Sequence, residues 1–135
     1  VLATTTSSEG LNQQVYNRQL ATYYADHEVK LDEALRLTTA ELAVRKDVYG
    51  YDAQAWALYK NGRFDDAKAA ADHALSQHTP DAKIWFHTGL IDHALGHADA
   101  ARTELRRALT ISPNFDPRQA PKARAALAAL EGTGS

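Results

Sequence analysis

AKIWFHTGLIDHALGHADAARTELRRALTISP, residues 82–113, decides the fold because it repeats VYGYDAQAWALYKNGRFDDAKAAADHALSQHT, residues 48–79, at a constant offset. Gly62 and Gly96 stand 34 residues apart, as do Tyr51 and Trp85, Phe64 and Ala98, Ala67 and Ala101, Ala71 and Leu105, Ala74 and Ala108, and Leu75 and Leu109. A weaker copy precedes them at an offset of 33, pairing Tyr16 with Tyr49, Tyr23 with Trp56, Leu31 with Phe64, Ala34 with Ala67 and Leu42 with Leu75. A fixed period marks a repeat array, in which each unit stacks on its neighbour to bury an apolar face it cannot bury alone. Such arrays present a surface to a partner and rarely perform chemistry.

Within each copy the apolar residues fall at helical spacing. Val15, Tyr16, Leu20, Tyr23 and Tyr24 mark a helix over about Asn12–His27, and Leu31, Ala34, Leu35, Leu37 and Leu42 mark one over Leu31–Val44. Asp32 and Glu33 stand in the first turn of the latter, where the helix dipole favours negative charge. The second pair is predicted over about 48–60 and 64–77, the third over about 81–95 and 98–111. Gly62 and Gly96 stop the first helix of each pair, Thr79-Pro80 and Ser112-Pro113 close the pairs, and Pro121 suits the start of a last, alanine-rich helix over about 118–130. No stretch alternates with period two. Helices joined by such short turns pack as antiparallel neighbours, so the fold class is all-α: an antiparallel helix-pair solenoid of three repeats with a C-terminal capping helix. Residues 1–11 are expected to form a flexible lead-in and 131–135 a flexible tail, with a repeat domain over 12–130 whose units run about 15–47, 48–81 and 82–115.

Bulk composition narrows the function class. A formal charge of −2 and a pI near 6.3 argue against nucleic acid as the main partner. No stretch of about 20 apolar residues is present, so membrane insertion is not expected. The chain has no cysteine, which removes disulfides and thiolate metal sites and leaves the redox compartment open. It opens at Val1 without a methionine, so it reads as processed or cut from a longer product, a soluble protein either cytoplasmic or extracytoplasmic after removal of a signal. Arg102, Arg106, Arg107, Arg118, Lys122 and Arg124 form a local basic excess, read mainly as solvated helix faces.

These residues resemble the tetratricopeptide repeat family, whose pattern is Trp-x2-Leu-Gly-x2-Tyr, then Ala-x3-Phe, then Pro. The third copy writes Trp85-x2-Thr88-Gly89-x2-Asp92, Ala101-x3-Leu105 and Pro113. The second writes Tyr51-x2-Gln54-Ala55-x2-Leu58, Ala67-x3-Ala71 and Pro80, and the first has Ala34-x3-Thr38 without a closing proline. Asp92 stands where the family packs a large aromatic side chain; an unpaired buried carboxylate is costly, so exposure or a partner such as Arg124 of the capping helix is expected. The resemblance implies a concave face lined by the first helix of each pair, carried over by phase to Tyr16, Gln19, Tyr23 and Asp26, then Tyr49, Asp52, Trp56 and Tyr59, then Lys83, Phe86, Leu90 and His93. These residues are expected to line a groove for a peptide or protein segment, with Trp56, Tyr59 and Phe86 as aromatic anchors. Family members that bind chaperone tails use a clamp of Lys, Asn and Arg. Gln19, Tyr23, Ala53, Lys83 and His87 stand at the matching places and only Lys83 fits, which sets that ligand aside.

Chemistry finds little support. His93 and His97 could share a helix face, but Gly96 breaks the helix between them and no third ligand is evident, so neither a metal nor another cofactor is expected. There is no nucleophile elbow, zinc-protease helix or phosphate-cradling glycine loop, and the chain is read as a non-enzyme. The reading is a protein-interaction module, one segment of a larger bacterial protein; the alternative is a self-association or scaffold module held together through the aromatic groove or an uncapped repeat end.

Overall fold

The computed structural model describes residues 8–133, with side chains from Tyr16 to Gly132. Seven helices follow in order: α1 (Ser8–Asp26), α2 (Leu31–Val44), α3 (Val48–Lys60), α4 (Phe64–Leu75), α5 (Ala82–Ala94), α6 (Ala98–Ile111) and α7 (Gln119–Thr133). No strand occurs among the described residues. Two boundaries differ from the sequence expectation. Residues 8–11 are helical rather than lead-in, and residues 131–133 continue α7 rather than fray. Both extend a nucleated helix, where each further residue gains a hydrogen bond at little added cost. The rest of the expected lead-in and tail, residues 1–7 and 134–135, lies outside the described residues.

The turns follow from local chemistry. Gly62 and Gly96 take φ of 78° and 82°, a conformation that a Cβ would strain. Beside them the N–H groups of Arg63 and His97 donate to the carbonyls of Leu58 and Asp92 at 2.9 and 2.8 Å, the same closure made twice. The first copy has no glycine here, and its turn places Glu28 and Lys30 in left-handed backbone instead. Asp47 caps α3 by accepting from the Gly50 N–H at 2.7 Å, and Asp81 caps α5 by accepting from the Lys83 N–H at 2.9 Å.

Each helix packs on its neighbours in sequence, and α3 also touches α1 and α5 directly. The core runs as three buried clusters. One joins Ala21, Ala34, Leu37 and Ala57; one joins Ala55, Leu58, Ala67, Ala70, Ala71 and Ile91; the largest joins Trp56, Phe86, Leu105 and Leu130 with intervening alanines. Alanine and glycine set the helix spacing. A Cβ on Gly89 would meet Leu105 Cγ at 2.8 Å, so α5 and α6 approach too closely for any larger residue there. Leu130 and partly Leu127 cover the third pair, which gives α7 its capping role.

Asp92 is fully buried and paired, although not with Arg124, which donates to the Pro113 carbonyl at 2.9 Å. Lys68 of α4 reaches it at 3.0 Å and His97 at 2.9 Å. The partners come from the adjoining pair and the helix break because Asp92 faces α4 and α6, whereas α7 lies beyond α6.

Candidate functional site

Where α1, α3 and α5 meet, a cleft of about 170 Å³ opens. Arg18 and Thr22 of α1 form one wall, Tyr49, Asp52, Ala53 and Trp56 of α3 the floor, and Asp81, Lys83 and His87 at the start of α5 the other wall. The α3 contribution follows i, i+3, i+4, i+7 spacing, one face of a helix. A larger depression of about 480 Å³ shares Tyr49, Asp81 and Lys83 and continues to Thr79, Pro80, Ala82, Ile111, Ser112 and Phe115. The two form one path from the middle of the helix layer to the α6–α7 junction.

The twelve residues carried over by phase divide into three groups. Tyr16, Gln19, Tyr23, Tyr49, Lys83 and His93 are exposed; Asp26, Asp52, Tyr59 and Leu90 are half-buried. Trp56 and Phe86, expected as anchors, are 2% and 0% exposed and belong to the core. That is a correction with a clear cause. The Trp56 ring stacks on His87 at 4.0 Å and on Tyr59 at 5.2 Å, its Nε1 donates to Asp26 at 2.8 Å, and Lys60 lies 4.8 Å from the ring centre. Phe86 packs against Trp56 at 5.8 Å and Phe115 at 5.4 Å. A ring tied on both faces and at its edge holds the floor in place and is not available to grip a ligand. Burial pushes the Tyr59 hydroxyl above its usual pKa, and the Glu28 charge adds to this.

Tyr49, Asp52, Trp56 and Lys83 meet in the cleft, whereas Tyr16, Gln19, Tyr23 and His93 are not among its lining residues. Arg18, Thr22 and Asp81 are cleft residues absent from the stripe read by phase. The first copy's offset of 33 carries α3's cleft residues Asp52 and Trp56 back to Gln19 and Tyr23; only an offset of 34, that of the later copies, reaches Arg18 and Thr22. Phe115 lies outside any repeat helix, so periodicity carries no information about it.

Most charged groups in the cleft are paired, although the buried Nε of Arg18 has no acceptor. Arg18 lies 3.2 Å from Glu41 and 3.3 Å from Asp47; His87 Nδ1 lies 2.8 Å from Asp52; Lys83 lies 3.6 Å from Asp116. Burial works to raise the Asp116 carboxyl, but the N–H groups of Arg118 and Gln119, with Lys83, hold it below its ordinary value. His97 is taken by Asp92 and His93 is exposed; among the described residues no group of three His, Cys, Asp or Glu is placed to hold a metal ion. No described helix is long and apolar enough to cross a membrane.

Residues 53–114 match the family model of the tetratricopeptide repeat. No curated protein matches by sequence. The chain is similar in structure to the first tetratricopeptide domain of Spaghetti (RPAP3) bound to the HSP90 peptide SRMEEVD, with TM-score 0.73, 18% identity, and 90% of this chain and 93% of that one covered. It is similar to PcrH in complex with the chaperone binding region of PopD, with TM-score 0.72, 19% identity, and 96% and 98% covered. The first such domain of human RPAP3 gives TM-score 0.65 at 21% identity, covering 88% and 95%.

Proposed function

Because this chain is a tetratricopeptide repeat protein, we propose that it is a protein–protein interaction module that holds a peptide segment in the cleft between α1, α3 and α5. The observation that carries this reading is that first helices of all three pairs line one cleft, which shares Tyr49, Asp81 and Lys83 with the larger depression reaching the α6–α7 junction. Two of the similar structures, those of RPAP3 and PcrH, hold a peptide and a partner segment respectively. The reading favours an internal segment over an acidic chain terminus, because the groove's Arg18 is already engaged by two carboxylates and Lys83 by a third. Nothing in the cleft combines a free nucleophile with a base, so binding rather than catalysis is the role.

Selection of a random peptide library on the wild-type protein tests this. Enriched peptides should bind wild type and lose at least about tenfold in affinity on Ala53→Trp, which fills the cleft floor, while circular dichroism stays unchanged. Enrichment that ignores Ala53→Trp places the site elsewhere.

One observation favours a second reading, self-association. Tyr23 stands at the phase of Trp56, yet it is 56% exposed. With Tyr16 it forms an exposed aromatic stripe on α1. Sedimentation that shows a dimer dissociating on Tyr23→Glu supports this reading; a monomer at high concentration removes it.

A further inference from the structure

Resting on the cleft as the peptide site, the charge arrangement within it selects the kind of peptide. A groove that recognises charged ligands keeps charges unspent for them; here most of the described charges are engaged with one another, the buried Nε of Arg18 being the exception. Arg18 is shared by Glu41 and Asp47, His87 and Asp52 face each other, the Asp26 carboxylate accepts from Trp56, and Asp81 accepts from the Lys83 N–H. Lys83, half-exposed on the rim, sits 3.6 Å from Asp116. A charged ligand group would have to displace one of these pairs or enter unpaired, and either is unfavourable in a partly desolvated cleft.

Beside those charges the path offers a few apolar side chains set among neutral hydroxyls. Tyr49 is 50% exposed at the point shared by the two depressions, and Ile111 and Phe115 form the far wall. Phe115 is held from behind by the buried Phe86. Thr22, Thr79 and Ser112 along the path can donate to and accept from a peptide backbone without a net charge. The larger depression has the volume for a bulky side chain, whereas the 170 Å³ end is narrow.

We propose that the cleft selects a charge-poor, extended segment that lodges one bulky apolar side chain between Tyr49, Ile111 and Phe115, with Tyr49 as the specificity-determining residue. A partner of this kind is a stretch that would itself be buried in the partner's final fold or assembly, presented here while still extended. Charge plays little part in holding it, so affinity changes little with salt, in contrast to grooves that bind through ion pairs.

The probe is a random peptide library of roughly twelve residues, long enough at about 3.3 Å per residue to run the whole path. Enriched sequences should be poor in Asp, Glu, Lys and Arg and carry a recurrent Leu, Ile, Phe or Trp. Their affinity should change less than about twofold between about 0.05 and 0.5 M salt. Tyr49→Asp, a change at an exposed position, should weaken them about tenfold or more, and Tyr49→Phe should restore binding. Enrichment of acidic or basic peptides with steep salt dependence overturns the inference while leaving the cleft as the binding site. So does binding that is lost on Ala53→Trp but indifferent to Tyr49→Asp. Failure to enrich any peptide overturns the peptide-binding reading itself and this inference with it.

Discussion

The second helix pair, α3–α4, and the third, α5–α6, share one 34-residue frame and solve the same packing problem with opposite chemistry. Leu58 and Ala70 in the second pair lie in an apolar cluster; their counterparts in the third are Asp92 and Glu104. Asp92 is buried with Lys68 and His97 around it, and Glu104 Oε1 is buried with no hydrogen-bond donor of its own. Two carboxyls so placed are stable when they share a proton. Burial, then the contact with Asp92 and its charge, pushes Glu104 up to about 8. Burial also acts to raise Asp92, but hydrogen bonds from Glu104, His97 and Lys68 hold it below the usual carboxylate range.

The same inversion appears in size. Ala55 and Ala71 face each other in the second pair, and Gly89 and Leu105 in the third, so a methyl lost from one helix accompanies a larger side chain on the other. Tyr51 stacks on His73 at 4.6 Å in one pair, and the Arg107 guanidinium lies 5.7 Å from the Trp85 ring in the other. The lesson is that one repeat frame accepts different divisions of size and polarity between the two helices of a pair.

The largest effect comes from removing what distinguishes α3. Trp56→Ala deletes a ring stacked on two faces and leaves Asp26 without its donor; we expect a loss of about 3–5 kcal/mol in chemical denaturation. A loss under about 1 kcal/mol would mean the ring contributes area to the cleft rather than to the core. Next, α6 can be given the residue of α4. Leu105→Ala should cost about 2–5 kcal/mol by opening a cavity. Gly89→Ala, which gives α5 the residue of α3, should cost about 1–3 kcal/mol by overpacking against Leu105. The double variant recreates the Ala–Ala arrangement of the second pair, so its cost should fall short of the sum by about 1 kcal/mol or more. Strict additivity would break the comparison.

The smallest effect is in pH. The Glu104 folded value of about 8 lies above its ordinary 4.5, so the folded chain binds the extra proton between those limits. The Glu104 contribution to stability is full below about 4.5 and is lost as pH rises through about 8. Asp92 behaves oppositely: its contribution is present above its ordinary 3.8 and lost as pH falls. Melting temperature should therefore decline from weakly acidic to alkaline pH. Glu104→Gln keeps a donor toward Asp92 without a titrating proton, and should flatten that decline. A wild-type curve as flat as the variant's would show that Glu104 is charged in the fold.

Much of this was legible before the structure. The period places the helix pairs, and Gly62 and Gly96 place the stops. The site was legible only in part. Tyr49, Asp52 and Lys83 of the phase-derived stripe line the cleft, while Trp56 forms part of its floor from within the core; Arg18 and Thr22 fall off the first copy's 33-residue register, and Phe115 lies outside any repeat helix. Phase says which side of a helix a residue occupies. It does not say whether a neighbouring helix covers that side, which is why Trp56 and Tyr23 share a phase and differ so widely in exposure.

By itself, then, the sequence determined the class and order of the helices, because spacing of apolar residues, glycine stops and proline boundaries act over a few residues along one chain. Only the tertiary structure decided which aromatic side chains are core and which are surface, which base answers Asp92, and where the cleft runs. Those depend on contacts between residues about 20 to 90 positions apart, such as Lys68 with Asp92, Asp26 with Trp56, and Arg118 with His27. A carboxylate's partner is whichever donor the packed helices bring within about 3 Å, and that distance is set by the small residues between helices rather than by any motif around the carboxylate.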